Sequence, residues 1–175
     1  MSSYKLKMIL IGAGAVGKTS LVHRFINEEF QANYELTVGV DFKTKDVEVE
    51  SGETATLSIW DVGGQKRFKS IRTTFYRGAT GALVVFDLTR PDTFDEVTHW
   101  LSEVRQFTKP DIPFILIGNK LDLIEAMGEV VDRSEAKEYA EKEGSIYIET
   151  SAKTGESVEE AFVELTNRIV NDQIE

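Results

Sequence analysis

The sequence predicts a single α/β domain over residues 1–175, with a doubly wound, mainly parallel six-stranded sheet, one antiparallel strand and about five helices. The first observation behind this prediction is that strand-like apolar runs alternate with helical patterns along the chain. The second is that the runs at 82–87 and 114–118 are continuously apolar, which is typical of strands buried on both faces. The third is the length of 175 residues, which suits one domain.

The elements can be assigned in order from their periodicity. Strand-like runs occupy residues 5–11, 40–50, 54–61, 82–87, 114–118 and 145–149. Ser51-Gly52-Glu53 separates the second run from the third and predicts a hairpin, which supplies the antiparallel strand. Helical patterns cover residues 18–27, the stretch from Pro91 to about residue 107, and the stretch that begins at Val158. Right-handed crossovers then bring the carboxyl ends of the strands, and any ligand, to one edge of the sheet.

The charge of the chain is unevenly distributed. It has 30 acidic and 20 basic side chains, which gives a net charge of −10. Residues 1–121 contain 15 of each sign, whereas residues 122–175 contain 15 acidic and 5 basic side chains. The excess is typical of solvated helix faces, and it argues against binding to the phosphate backbone of nucleic acid.

The absence of Cys excludes a disulfide scaffold, a thiolate zinc site, a Cys nucleophile and a prenyl or palmitoyl anchor in this chain. Residues 1–4 have the pattern of neither a signal peptide nor a myristoylation start. The longest apolar stretch, residues 112–117, is too short to span a membrane. We therefore expect a cytoplasmic monomer, associated with a membrane surface only if a lipidated C-terminal tail is missing from this sequence.

A glycine-rich motif lies between the first strand-like run and the first helix. Residues 12–19 read GAGAVGKT, which has the form G-x-x-x-x-G-K-[ST]. Glycines let backbone N–H groups curl around phosphate oxygens, and the helix N-terminus adds partial positive charge. We expect Lys18 to reach the β- and γ-phosphates and the Thr19 hydroxyl to bind Mg²⁺. The nucleotide-binding residues expected here are Gly14, Ala15, Val16, Gly17, Lys18, Thr19 and Ser20. The motif alone does not choose between ATP and GTP.

Two later loops indicate the base. Asn119-Lys120-Leu121-Asp122 follows the apolar strand at 114–118. A carboxylate there can accept hydrogen bonds from the ring N–H and the exocyclic amine of guanine, and adenine offers no such pair of donors. Ser151, Ala152 and Lys153 follow the last strand and could donate backbone N–H groups to the base carbonyl. Guanine nucleotides are therefore the expected ligands.

The segment Asp61-Val62-Gly63-Gly64-Gln65 follows the third strand-like run. An Asp at such a strand end, opposite a phosphate-binding loop, holds Mg²⁺ through water. The Gly64 N–H can bond a γ-phosphate, and the Gln65 amide can orient an attacking water. Lys18, Gly64 and Gln65 are therefore the expected catalytic residues.

These motifs sit within a chain that resembles the Ras superfamily of small GTPases over essentially its whole length, and the Rab family within it. The segments that carry the resemblance are residues 37–43, 59–61, 65–68, 75–79 and 84–89. The resemblance implies a P-loop small G domain that switches between GTP and GDP in membrane traffic or related signalling. It also implies effector, exchange-factor and activating proteins that bind through residues 32–42 and 62–77.

Matched residue by residue, the resemblance assigns further roles. Phe30 would stack on guanine and Tyr34 would cover the phosphates. Thr37 would join Thr19 and Asp61 around Mg²⁺. Three aromatic residues would form the patch that effectors read, here called the aromatic patch: Phe42, Trp60 and Phe75. The alternative is that these three are ordinary core residues.

The chain departs from the Rab pattern in the second of these two partner-binding segments, residues 62–77, which we call the second switch. Val62-Gly63 and Lys66 stand where Rab proteins carry Thr-Ala and Glu, and the Val-Gly-Gly form resembles Arf and Gα proteins. No arginine stands at a position that resembles the finger Gα proteins carry in cis, so we expect slow intrinsic hydrolysis and an activating protein that supplies one. The alternatives are a GTP-holding module with little or no hydrolysis, a nucleotide kinase and a structural adaptor.

Overall fold

The computed structural model describes residues 4–27 and 40–174. Its strands are β1 (Tyr4–Ile11), β2 (Val40–Glu48), β3 (Thr54–Val62), β4 (Gly81–Asp87), β5 (Phe114–Asn119) and β6 (Tyr147–Glu149). They form one sheet in the order β2-β3-β1-β4-β5-β6. β2 and β3 pair antiparallel and every other neighbouring pair is parallel, which confirms the predicted fold class.

The described α-helices are α1 (Lys18–Asn27), α2 (Lys69–Tyr76), α3 (Pro91–Asp95), α4 (Val97–Arg105), α5 (Ile124–Met127), α6 (Arg133–Lys142) and α7 (Val158–Ile174). Five of these seven have eight or more residues, close to the predicted number. The single helix predicted from Pro91 is two helices, because the backbone at Glu96 turns to φ −82° and ψ −8°. Within the described ranges, no helix is both long and apolar enough to cross a membrane.

The predicted hairpin joins β2 to β3. Val40 pairs with Val62 at one end and Glu48 with Thr54 at the other. Gly52 has a φ of 88°, which favours glycine, and its N–H donates to the Val49 carbonyl at 2.9 Å. The antiparallel strand therefore lies at the edge of the sheet, beside the segment that leads into the second switch.

Side chains of successive residues in the central strands alternate between two buried layers. On one face, the rings of Phe25 in α1 and Phe162 in α7 stack with centroids 4.1 Å apart. On the other face, α2, α4 and α6 contribute Tyr76, Trp100 and Ala140 to the core. Because helices cover both faces, β4 and β5 are buried throughout, and the loops after them lie at one edge.

Candidate nucleotide-binding site

The glycine-rich loop connects β1 to α1 in a conformation that side chains rarely tolerate. Gly12 and Gly17 have φ values of 150° and 100°. A Cβ on Gly12 would lie 2.2 Å from the Val85 carbonyl oxygen, and one on Gly17 would lie 2.2 Å from Asn119 Nδ2. Glycine is therefore required at both ends of the loop, because a backbone oxygen and a bonded amide block the space.

The first residue of α1 is held inside the loop. Lys18 is 6% exposed, and its Nζ donates to the carbonyls of Gly12 and Ala13 at 2.9 Å each. Burial lowers the pKa of Lys18 to about 8, and the nearby Asp61 carboxylate opposes that fall. A cation with its donors aimed along the loop suits phosphate oxygens.

A hydroxyl and a carboxylate meet beside Lys18. Thr19 Oγ1 donates to Asp61 Oδ2 at 2.5 Å, and Asp61, near the end of β3, is 2% exposed. Hard oxygen donors in this arrangement fit Mg²⁺, which usually keeps several waters and takes other ligands from phosphates. Among the described residues, no three His, Cys, Asp or Glu side chains cluster as a metal cage. The site thus fits a magnesium ion that arrives with a nucleotide.

Asn119 connects two loops at the far side of the site. It is 1% exposed, its Nδ2 donates to the Val16 carbonyl at 2.9 Å, and its Oδ1 accepts from Thr150 Oγ1 at 3.0 Å. Both ends of the amide are therefore bonded inside the protein. Direct contact between Asn119 and a base stays a prediction, and the observed geometry adds a bracing role.

Lys120 makes a second connection to the glycine-rich loop. Its Nζ donates to the Ala15 carbonyl at 2.9 Å and lies 2.8 Å from Asp87 Oδ2, at the end of β4. Its backbone is left-handed, with φ 71°, which turns the chain sharply out of β5. Asp87 is almost fully buried, so the lysine neutralises a carboxylate that would otherwise be costly there.

Asp122 and Ser151 lie together, as a shared base site requires. Ser151 Oγ donates to Asp122 Oδ1 at 2.7 Å, which leaves the second carboxylate oxygen for guanine donors. The Ser151 N–H donates to the Glu156 carbonyl at 3.1 Å, so this amide is already used inside the loop. The expected donation to the base carbonyl therefore falls to Ala152 and Lys153.

Gly64 lies against the glycine-rich loop, and Gln65 follows it in the chain. A Cβ on Gly64 would be 2.3 Å from the Gly12 carbonyl oxygen and 2.8 Å from Gly14 N, so the two backbones are in direct contact. Gln65 Oε1 is buried and has no hydrogen-bond partner within residues 4–27 and 40–174. A buried amide oxygen in this position suits an acceptor of a water or substrate hydrogen bond.

Comparison with known proteins identifies the family. A model of the Ras family matches residues 7–171. The chain belongs to the Ras family. It is 41% identical to Ras-related protein Rab-4 of Dictyostelium discoideum over 95% of this chain and 80% of that protein. It is 44% identical to Ras-related protein RABA6b of Arabidopsis thaliana over 95% of this chain and 71% of that protein. This small GTPase is therefore Rab-like, as the motifs predicted.

The aromatic patch of this small GTPase is contiguous. The Trp60 ring lies 5.0 Å from that of Phe42 and 5.4 Å from that of Phe75, between ring centroids. Phe42 is 49% exposed, which is too open for an ordinary core residue. Its use by effectors stays a prediction.

Three expected nucleotide contacts lie outside the described residues: Phe30, Tyr34 and Thr37. The part of the first partner-binding segment from 32 to 39 also lies outside them. The structure describes the remaining expected site residues, which lie in the loops at the carboxyl edge of the sheet and in the ends of α1, β3 and β5 beside those loops.

The structure adds site residues that the sequence did not indicate. Arg90 Nη1 donates to the Gly14 carbonyl at 3.1 Å, Arg24 Nε donates to the Ala152 carbonyl at 2.9 Å, and Thr150 holds Asn119. Each of these contacts joins residues 31 to 128 positions apart in the chain. No local motif indicates such a distant pairing. The sequence does carry one local signal for the partner of Lys120, because Asp87 is a charged residue at the end of an apolar run.

Proposed function

We propose that this Rab-like small GTPase binds GTP and GDP with Mg²⁺ and hydrolyses GTP slowly, as a molecular switch in membrane traffic. The observation that carries the proposal is the connection between the two nucleotide motifs. Asn119 and Lys120 donate to the Val16 and Ala15 carbonyls, respectively. These bonds join the segment at the end of β5, which is expected to bind the base, to the glycine-rich loop, which is expected to bind the phosphates. The Rab names of the relatives support the assignment to traffic.

The nucleotide would be held from both ends. Backbone N–H groups of Gly14, Val16 and Gly17 face the β- and γ-phosphates in this proposal, with the ammonium of Lys18 as a point charge. At the other end Asp122, oriented by Ser151, accepts from guanine. Adenine would offer this carboxylate no pair of donors, which is the basis of a strong preference for guanine.

Thr19 and Thr37 are the residues that we propose would bind Mg²⁺, and Asp61 would hold a water beside the ion. The ion supplies charge neutralisation at the phosphate oxygens when it is bound. The short contact between Thr19 and Asp61 supports this set, because it holds the hydroxyl and the carboxylate next to each other.

Hydrolysis needs a water placed in line with the bond that breaks. Gln65 orients this water through its side-chain amide, and the Gly64 N–H stabilises charge on the γ-phosphate oxygens. Gly14 carries no side chain that would displace Gln65. An arginine from an activating protein is expected to raise the rate by about 10³- to 10⁵-fold.

Partner proteins are proposed to read the switches, residues 32–42 and 62–77. The aromatic patch gives them an apolar anchor, and the second switch also carries four exposed cations: Lys66, Arg67, Lys69 and Arg77. No acidic residue lies between Gln65 and Arg77, so partners with acidic groups are favoured by charge complementarity.

The experiment that tests the function identifies the nucleotide retained after gentle purification and then measures its hydrolysis. We expect GDP or GTP by chromatography and a slow release of phosphate in a single turnover. Retained adenine nucleotide, or none, would contradict the assignment. Retained GTP that releases no phosphate, with or without an activating protein, would instead favour the GTP-holding module, which the Val62-Gly63 and Lys66 departures make the second candidate.

A further inference from the structure

A buried ion pair joins α2, the helix that follows Gln65, to α4. Arg72 Nε donates to Glu103 Oε2 at 3.0 Å, and Nη2 donates to Oε1 at 2.9 Å. Both side chains are 2% exposed. This bidentate geometry fixes the plane of the guanidinium, because rotation would break one of the two parallel bonds. α4 packs on the central strand β4, so Arg72 is held from the core of the domain.

The remaining edge of the guanidinium points at the second switch. Arg72 Nη1 donates to the Gln65 carbonyl at 2.7 Å. The same carbonyl accepts the Phe68 N–H at 3.1 Å, which closes the turn that follows Gln65. The backbone of the proposed water-orienting residue is therefore anchored through Arg72 to Glu103.

Two aromatic residues complete the cluster. Tyr76 OH donates to Glu103 Oε2 at 2.7 Å, and the Arg72 guanidinium carbon lies 4.8 Å from the centroid of the Trp100 ring. Burial alone would raise the pKa of Glu103, but the hydrogen bonds from Arg72 and Tyr76 hold it below its usual value. The carboxylate is thus ionised at neutral pH and keeps its hold on the arginine.

An ion pair this deeply buried is a poor device for stability alone. The cost of removing two charges from water offsets most of their attraction, and apolar side chains of similar volume often serve the fold as well. What apolar side chains cannot do is donate to the Gln65 carbonyl. We therefore expect the main role of the cluster to be the placement of the Gln65 backbone.

We propose that Arg72 is a positioning residue for GTP hydrolysis, which holds the backbone of Gln65 while Glu103 and Tyr76 hold Arg72. The inference rests on the proposed hydrolytic function. Without the anchor, the Gln65 amide samples orientations that do not face the attacking water. Misplacement of a reacting group by about 1 Å can lower a rate by roughly 10²-fold. We therefore expect loss of rate without loss of nucleotide.

The test removes the whole cluster, so that no buried charge is left alone. The triple variant Arg72→Met with Glu103→Leu and Tyr76→Phe keeps the volume and removes every polar member. The matched control is Arg105→Met with Glu143→Leu, a second arginine–glutamate pair, which joins α4 to the end of α6, with 2.8 Å between Nη1 and Oε2 and 29% exposure of each side chain. A milder variant, Arg72→Lys, retains the positive charge but cannot form the two parallel hydrogen bonds to Glu103.

Single-turnover hydrolysis and GTP affinity are measured for each protein. We expect the triple variant to bind GTP within about twofold of the parent and to hydrolyse it about ten- to hundredfold more slowly. The control should match the parent in both. Arg72→Lys should hydrolyse GTP more slowly than the parent, but with a smaller loss than the triple variant. If the triple variant does not fold, Arg72→Lys is used in its place. Parental rates in the triple variant or, failing it, in Arg72→Lys would overturn the proposal.

Two further measurements separate positioning from a general loss of structure. In a Gln65→Leu background, the triple substitution should produce no additional loss of rate, because Arg72 acts through Gln65. Additive losses of rate would contradict the inference that Arg72 acts through Gln65. Hydrogen exchange at residues 65–68, with a non-hydrolysable GTP analogue bound, should be faster in the triple variant than in the parent. If the parent itself released no phosphate, the proposed function would fail, and this exchange rate alone would decide whether Arg72 anchors Gln65.

Discussion

The substitution Asn119→Ala tests whether this side chain is a brace as well as a possible base ligand. The amide is 1% exposed and bonds the Val16 carbonyl and the Thr150 hydroxyl. Each buried polar group left without its partner costs about 1–3 kcal/mol. Two groups are left unpaired, so we expect the free energy of unfolding to fall by about 2–6 kcal/mol, a large share of the roughly 5–15 kcal/mol of a typical domain.

The assay is urea unfolding at several GDP concentrations, extrapolated to zero GDP. Binding adds stability that depends on ligand concentration, so the extrapolation separates the brace from any contact with the base. The control is Thr150→Val, which preserves shape and leaves only the Asn119 Oδ1 unpaired, for a loss of about 1–3 kcal/mol. If Asn119→Ala lowered stability only in the presence of GDP, the bracing role would be wrong and direct base contact would account for the residue.

Three further predictions concern the base, the phosphates and the second switch. Asp122→Asn should shift preference from guanine toward xanthine nucleotides in competition binding, and unchanged GTP affinity would remove Asp122 from the base site. Burial lowers the pKa of Lys18 to about 8, so the free protein loses the proton that phosphates need as the pH rises through that value. GDP affinity should therefore be level below about pH 7 and fall by up to about tenfold per pH unit above pH 8, whereas a flat titration curve would refute this assignment. Gly64→Ala places a Cβ 2.3 Å from the Gly12 carbonyl oxygen, so it should slow single-turnover hydrolysis by about tenfold or more, and a parental rate would show that this contact opens before the reaction.

Local patterns predicted the parts of the fold that local physics decides. α1 begins at Lys18 and ends at Asn27, as predicted, because a glycine turn starts it and an apolar periodicity runs through it. The hairpin formed where Gly52 stands. The break at Glu96 was missed, because the apolar spacing continues unchanged across it and only the backbone angles report the interruption.

The sequence motifs predicted which segments form the candidate site, but they did not predict the hydrogen bonds that join those segments. Spacing placed Asn119 and Asp122 at the end of a buried strand, yet it could not show that the Asn119 amide is bonded to Val16, 103 residues away. The Ser151 N–H was expected to face the base, and the fold uses it to close its own loop. Such partners are chosen by tertiary packing, which a single sequence does not encode in any local pattern.

The decisive measurement is single-turnover GTP hydrolysis by the parent and by Gln65→Leu, each loaded with GTP and Mg²⁺. We expect the parent to release phosphate at a rate on the order of 10⁻⁴ s⁻¹. Gln65→Leu should retain GTP with similar affinity and hydrolyse it roughly 10²-fold more slowly, because a group that orients the reacting water is lost. Equal rates in the two proteins, or release by neither, would show that this chain is not a GTPase that acts through Gln65.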